Sequence, residues 1–549
     1  MLIERFINRT EFSSYDDFYK NFRLNIPENF NFAYDVVDVL AAETPDDKAM
    51  IWVDDMGGCR EFTFAQMKEY SDKTASFFKT LGIGKGDMVM LILQRRYEWW
   101  FSMLALHKLG AVCIPATHML TKEDIIFRNN AAEIKMIVAV DEGDITGHIE
   151  SAMPESPTVK HLVLVNGEKK GWESFDRGIA SAAPFDSKAN RVTKNDDISL
   201  IYFTSGTTSH PKMVAHDFLY PLGHITTAFF WQRVRKGGIH LTVADTGWGK
   251  AVWGKLYGQW ISQGTVFVYD YHARFKAIDL VKLIEKYRIT SFCAPPTIYR
   301  FLIQEDLSSF DLSSLKECAT AGEPLSEEVF NRWKKYTGLD IREGFGQTET
   351  TLSLLNFAGE TIKPGSVGKP APYYNTVILD SNNQECGDGE PGEIAFPIAN
   401  GRFPGLFKEY YKDKAKTDSV MRDGYYFTGD TAWRDEDGFF WFTGRNDDVI
   451  KCSGYRIGTF EVESVLMQHP SVVECAVTGA PDPIRGQVVK ATIVLAQKYK
   501  PGNDELVKEI QTFVKKATAP YKYPRIVEFV DELPKTISGK IMRKNLRGK

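Results

Sequence analysis

At 549 residues the chain is several times the usual domain length, so one large multi-part body plus a smaller domain is expected. Hydrophobic residues at 43%, charged residues at 25% and a formal charge of -5 describe an ordinary globular protein with no electrostatic footprint for nucleic acid. Seven scattered cysteines lack a close Cys-x-x-Cys pair, Met1 to Arg9 is too polar for a signal peptide, and no apolar run is long enough to span a bilayer. The cysteines fit a reducing compartment, and, with neither a signal peptide nor a membrane span read in the sequence, the cytoplasm is the expected location.

Residues 1 to 48 carry aromatic-rich segments, Phe12 to Phe22 and the helical Phe32 to Ala42, expected to pack as an arm on the main body. Ala49 to Val53 and Arg60 to Thr63 flank the Gly57-Gly58 turn as a hairpin. Phe64 to Leu81 has helical spacing through Met67, Tyr70, Ala75, Phe78 and Leu81. Met88 to Leu93 reads as a strand, Tyr97 to Leu109 as a helix stopped by Gly110, and Ala111 to Pro115, Ile134 to Val140 and His161 to Val165 as further strands. That rhythm predicts layered α/β structure.

The stretch on which the chain turns is 201 to 214. Apolar Ile198 to Phe203 ends in Thr204, Ser205, Gly206, Thr207 and Thr208, followed by Lys212. Hydroxyls and backbone N–H groups at the end of a strand can surround phosphate oxygens, and the lysine adds a mobile positive charge. A Ser/Thr/Gly stretch beside a lysine is just as often only a turn, and the spacing is not that of a P-loop.

Phe218 to Trp231 is expected to be helical, and strand Ile239 to Val243 feeds Asp245-Thr246-Gly247-Trp248-Gly249. Trp253, Tyr257 and Trp260 recur at near-helical spacing, which suits a core stripe as well as a substrate pocket. Two more strand-to-loop edges follow, at Ala321-Gly322-Glu323-Pro324-Leu325 and at Arg342 to Thr350, the latter reading Arg-Glu-Gly-Phe-Gly-Gln-Thr-Glu-Thr. Open α/β sheets bind ligands beyond the carboxyl ends of their strands, so these edges are expected to converge. Glu349 could hold Mg2+ through oxygen or merely cap a helix, Phe345 could stack on an adenine, and Asp430 of Thr428-Gly429-Asp430 could accept from ribose hydroxyls.

Strands Pro372 to Leu379 and Pro391 to Phe396 belong to a β-rich subdomain, and Asp435 to Gly438 is a hairpin turn. Beyond Gly444-Arg445-Asn446-Asp447-Asp448, residues 448 to 549 form a compact α+β unit with helices Phe460 to Gln468 and Asn503 to Ala517. Its strands are Val472 to Thr478, Val488 to Leu495 and Ile526 to Val530. The last fifteen residues hold Lys535, Lys540, Arg543, Lys544, Arg547 and Lys549 without an acid. They read either as a solvated tail or as a carrier for Lys540 beside flexible Gly539.

Taken as strings, these segments resemble five motifs of the acyl-adenylate-forming superfamily in their expected order, with particular similarity to medium-chain acyl-CoA synthetases. The phosphate loop is usually Thr-Ser-Gly-Thr-Thr-Gly-x-Pro-Lys, and this chain has Ser209 at the second Gly. The resemblance implies a nucleotide site built from Thr204, Ser205, Gly206, Thr207, Thr208, Lys212, Gly322, Glu323, Pro324, Gly344, Phe345, Gly346, Gln347, Thr348, Asp430, Arg445 and Arg456. Glu349 is implied as the metal carboxylate, and Thr204, Glu349 and Lys540 as the catalytic set. It further implies a large domain over 1–446, a small mobile domain over 447–549 hinged near Asp447, and Gly454 facing the pantetheine arm in the thioester-forming pose.

The implied substrates are ATP with Mg2+, CoA and a small carboxylic acid, with no membrane span and no nucleic acid; a homo-oligomer stays open. Acetate-specific relatives place Trp where this chain has Gly346, so an acyl group longer or branchier than acetyl, or aromatic, is expected, with Trp248 and Trp253 as pocket walls. The alternatives are a carrier-protein or amine acceptor, or a nucleotide-binding protein without turnover.

Overall fold

The computed structural model describes residues 1–204, 211–273, 275–323, 325–452, 455–483, 485–535 and 541–547. Among these residues the strands fall into four sheets, two of them large. The first has eight strands in the order Glu409–Tyr410, Lys212–Asp217, Ile198–Thr204, Val112–Pro115, Met88–Ile92, Met136–Val140, His161–Val165 and Glu173–Ser174. From Ile198–Thr204 to Glu173–Ser174 the neighbours run parallel, and the two strands beyond Ile198–Thr204 pair antiparallel. Met88–Ile92 and Met136–Val140 are buried along their whole length, as parallel strands covered on both faces must be.

The second sheet has nine strands, with Ile341–Phe345, Glu317–Ala321, Ser291–Cys293, Ile239–Thr242, Thr265–Asp270 and Lys48–Asp54 in parallel succession. The hairpin strands Lys48–Asp54 and Cys59–Thr63 thus close one edge of a sheet whose other members lie almost two hundred residues downstream. Helix Phe64–Thr80 starts on a capping box in which Thr63 Oγ1 accepts from Gln66 N and the Gln66 side chain accepts from Thr63 N. Helix Glu98–Leu109 ends on Gly110 at φ 70, where a left-handed residue is needed.

The aromatic N-terminal segment packs as expected. Phe12, Phe18 and Phe22 surround Phe230, with ring centroids 5.6, 4.5 and 5.5 Å away. The anticipated helix through Trp231 is an α-helical Tyr220–Ile225 running into a π-helical Thr226–Trp231. The stripe of Trp253, Tyr257 and Trp260 is likewise split, into Gly249–Lys255 and Tyr257–Ile261, because Leu256 leaves helical geometry at φ -148 and ψ -84.

A third sheet joins Val377–Leu379, Gly392–Pro397, Tyr425–Arg434 and Met421–Arg422, with Phe440–Arg445 on Tyr425–Arg434. The last sheet combines Tyr455–Ile457, Ile450–Cys452, Gly486–Leu495, Val472–Asp482 and Ile526–Val530. Helix Asp504–Ala517 covers it through Leu506, Ile510 and Val514, one turn apart on a single face, and Asn503 Oδ1 caps its start from Leu506 N at 2.8 Å. This is the mixed α/β fold with a small α+β C-terminal part that the sequence predicts.

Candidate active site

Three elements meet at Glu349. Strand Ile198–Thr204 turns back as Lys212–Asp217, with Thr204 opposite Lys212, and Glu409–Tyr410 pairs along the far side with Tyr410 opposite Val214. Tyr410 Oη donates to Glu349 Oε1 at 2.8 Å, and Phe407 N donates to the Glu349 carbonyl at 2.7 Å. The Lys212 ammonium lies 5.1 Å above the Tyr410 ring. Burial lowers the Lys212 pKa while the Glu349 carboxylate opposes that shift, so the two expected charges feel one another across the tyrosine.

A second carboxylate is held nearby. Asp430 is buried on strand Tyr425–Arg434, and Gln347 Nε2 donates to its Oδ2 and, at 2.8 Å, to the Thr428 carbonyl. The Gln347 Oε1 accepts from Tyr426 Oη at 2.8 Å. Arg445 Nη1 is 3.4 Å from Asp430 Oδ1, and Arg445 Nε is 3.5 Å from Asp447 Oδ1. Burial works against the Arg445 charge, yet Asp430, Asp447 and Glu349 together leave its pKa raised. The expected ribose acid and the expected hinge acid thus share one guanidinium.

Thr348 is fixed from below by His216, whose Nε2 donates to the Thr348 carbonyl at 2.8 Å; that bond sets the tautomer. The His216 ring stacks on Tyr220 at 3.7 Å, and burial pushes its pKa down to about 3, so it acts as a neutral prop. Phe345 is half-buried, 5.9 Å from the Phe442 ring on the neighbouring hairpin. Gly322 takes φ 100 with open space where a Cβ would stand, whereas the Glu323 carboxylate is engaged by Thr297 Oγ1 at 2.9 Å and Arg300 at 3.2 Å.

The two glycines beside Phe345 serve packing. A Cβ on Gly344 would run into Leu352 and the Trp231 indole, and one on Gly346 would run into Trp253 and lie 2.5 Å from the Thr351 carbonyl oxygen. The absence of a tryptophan at 346 therefore does not by itself open the pocket: the Trp253 indole, arriving from another segment, stands over Gly346. Tyr257 and Trp260 are core residues at 0% exposure, and Trp253, at 8%, is the member of the stripe beside the motif. Trp248 is half-buried at the start of the same short helix.

Ser205, Gly206, Thr207, Thr208, Pro324, Gly454 and Lys540 lie outside the described residues. Arg456 lies on strand Tyr455–Ile457, opposite Lys451. The structure thus gathers Thr204, Lys212, Gln347, Thr348, Glu349, Asp430 and Arg445 around one site. Sequence reasoning missed Tyr410, Tyr426 and His216, which belong to no string that stands out and acquire meaning only through their partners.

The family model described as AMP-binding enzyme matches residues 37–411, and that of the AMP-binding enzyme C-terminal domain matches 461–540. The chain belongs to the AMP-binding enzyme family. Among its relatives, a protein of Mus musculus named acyl-coenzyme A synthetase ACSM3, mitochondrial, is 43% identical over 98% of this chain and 93% of its own length. The mouse acyl-coenzyme A synthetase ACSM4, mitochondrial, is 43% identical over 95% of this chain and 91% of its own. Among solved structures, the anthranilate CoA ligase AuaEII in complex with anthranoyl-AMP superposes with a TM-score of 0.84 at 29% identity, covering 95% of this chain and 97% of that one. A benzoate CoA ligase from Burkholderia xenovorans LB400 gives 0.81 at 26% identity, covering 94% and 100%.

The mitochondrial names of these family members overturn the cytoplasmic expectation. Its warrant was the lack of a signal-peptide pattern and of a membrane span, with scattered cysteines; all seven cysteines are free, but free thiols do not single out the cytoplasm among reducing compartments. Among the described residues no helix is long and apolar enough to cross a membrane.

Proposed function

We propose that this AMP-binding enzyme is an AMP-forming acyl-CoA synthetase acting on a medium-chain, branched or aromatic carboxylate. The observation that carries the reading is the convergence of Lys212, Glu349, Gln347, Asp430 and Arg445 from four separate chain segments onto one site. In the first half-reaction the substrate carboxylate attacks the α-phosphorus of ATP, an acyl-adenylate forms and pyrophosphate leaves. In the second the CoA thiol attacks the acyl carbonyl, loses its proton, and AMP leaves.

The protein's task is to align two anions and to neutralise charge on the transferring oxygens. Lys212 and the 204–208 hydroxyl loop would face the β- and γ-phosphates, and the Gly322–Pro324 loop and Phe345 would face the adenosine. Asp430 would take the ribose hydroxyls, with Arg445 beside it, and Arg456 would approach the phosphates. Lys540 would supply the cation for adenylation only, from a small domain over 447–549 that rotates about Asp447 and then presents Gly454 to the pantetheine arm. A boundary at 446/447 is consistent with the gap between the two matched family segments, and near it Gly458 packs on Thr443 and Phe442 on Phe460 at 5.9 Å.

Glu349 is a hard oxygen donor whose Oε1 is already held by Tyr410, which suits Mg2+ bound through one carboxylate, phosphate oxygens and water. The ion would supply charge neutralisation on the phosphates.

The test is pyrophosphate release with ATP and Mg2+ across acids from acetate to octanoate, plus 2-methylbutyrate and benzoate, with and without CoA. A maximum beyond acetate together with a CoA thioester is the expected result. No carboxylate-dependent pyrophosphate would overturn the reading, and success only with a carrier protein would move the acceptor. Lys540→Ala should abolish adenylation while sparing thioester formation from supplied acyl-adenylate.

A further inference from the structure

Tyr410 and Tyr426 are 3% and 1% exposed. A buried phenol needs a hydrogen-bond partner, and a backbone carbonyl is the ordinary choice. Both tyrosines instead spend their hydroxyls on the polar side chains of a single motif, Gln347-Thr348-Glu349. Tyr410 Oη donates to Glu349 Oε1, and Tyr426 Oη donates to Gln347 Oε1, each at 2.8 Å. The Phe407 ring braces both tyrosines, with centroids 4.9 and 5.4 Å away.

Each bond has a directional consequence. An amide has one acceptor end and one donor end, so with Oε1 taken by Tyr426, Nε2 must face Asp430 and the Thr428 carbonyl, as it does. Without the Tyr426 hydroxyl the amide loses what defines its orientation, and a flipped amide would set oxygen against the Asp430 carboxylate. Tyr410 likewise fixes the rotamer of Glu349, leaving its second oxygen to meet a cation. The same tyrosine ring lies under the Lys212 ammonium.

We propose that Tyr410 and Tyr426 are positioning residues with separable roles: Tyr426, acting through Gln347, orients Asp430 for the ribose, and Tyr410 orients Glu349 for the metal-bound phosphates. The inference rests on the ATP reading above and extends it to two residues that touch neither the nucleotide nor the acid. Two arms result: Tyr410 holds Glu349, and Tyr426 holds Gln347, which continues through Asp430 and Arg445 to Asp447.

The test is equilibrium binding of AMP, MgATP and ATP in EDTA to the full chain and to Tyr410→Phe, Tyr426→Phe and Gln347→Ala. Unaltered far-UV circular dichroism and melting would serve as the fold control. AMP probes the ribose arm without a metal. Tyr426→Phe should weaken AMP and MgATP alike, by about tenfold, the effect of one misdirected charge-assisted hydrogen bond. Tyr410→Phe should weaken MgATP by a similar factor while AMP and ATP in EDTA stay within about twofold. Adding Tyr426→Phe to Gln347→Ala should cost nothing further, since a relay fails as a unit.

Equal loss of AMP and MgATP in Tyr410→Phe, unchanged AMP binding in Tyr426→Phe, or additive losses in the double variant would overturn the proposal and leave the ATP site standing. If the unaltered protein binds neither nucleotide, the ATP reading falls first and the relay with it.

Discussion

At the scale of single residues, environment decides chemistry. Burial lifts the Glu343 carboxyl from an ordinary 4.5 to about 8, against a hydrogen bond from Leu325 N at 3.2 Å. The folded chain therefore keeps a proton that the unfolded chain releases, and stability present below pH 4.5 is lost as pH rises through 8. Glu343→Gln should remove that contribution, which has a slope of up to about 1.4 kcal/mol per pH unit, in urea unfolding measured from pH 5 to 8. Parallel pH dependence in both proteins would show the carboxyl to be ionised. Trp253, expected from the sequence as a pocket wall, is placed by packing over Gly346. Trp253→Ala should shift preference toward bulkier acids, by roughly tenfold in relative kcat/KM for two added methylenes. An unchanged acyl profile would remove Trp253 from the pocket wall. Motif strings exposed Glu349 and Asp430 because their types and neighbours are distinctive, whereas Tyr410, Tyr426 and His216 are ordinary residues given roles by partners up to 132 positions away.

At the scale of elements, local signals acted as expected where they were strong. The Thr63 capping box starts helix Phe64–Thr80, and Gly110 stops Glu98–Leu109. Thr63→Ala should cost about 1 kcal/mol in urea unfolding, with Thr63→Ser close to neutral; equal loss in both would point to the strand-end contacts instead. Local pattern says less where tertiary packing overrides periodicity. The segment Tyr220–Trp231 is buried at every position, so no solvent-facing stripe marks the passage from α- to π-helix. The pairing of Glu409–Tyr410 with Lys212–Asp217 is two residue pairs long, and no local propensity encodes it, yet it brings Tyr410 to Glu349.

At the scale of the molecule, the two large sheets are locked by a buried ionic cluster. Arg95, just beyond strand Met88–Ile92 of the first sheet, reaches Asp245 at 3.3 Å, Asp270 at 3.6 Å and the Tyr271 carbonyl at 2.5 Å, all at strand ends of the second. Its guanidinium also covers the Tyr271 ring at 4.0 Å. Arg95→Met leaves the fully buried Asp270 carboxylate without its ion-pair partner and should cost about 3–5 kcal/mol, read as earlier urea unfolding. An unmoved midpoint would mean that the apolar contacts alone join the sheets.

The sequence by itself determined the α/β class, nearly every long element and the motif order, because periodicity, caps and glycine breaks are local and short strings carry the nucleotide chemistry. Tertiary structure decided which sheet received the N-terminal hairpin, that Trp253 fills the space over Gly346, and that two tyrosines orient the carboxylates of the site. Those are long-range events, governed by which surfaces exclude water together and which buried polar groups must find each other, and no window along the chain contains both partners.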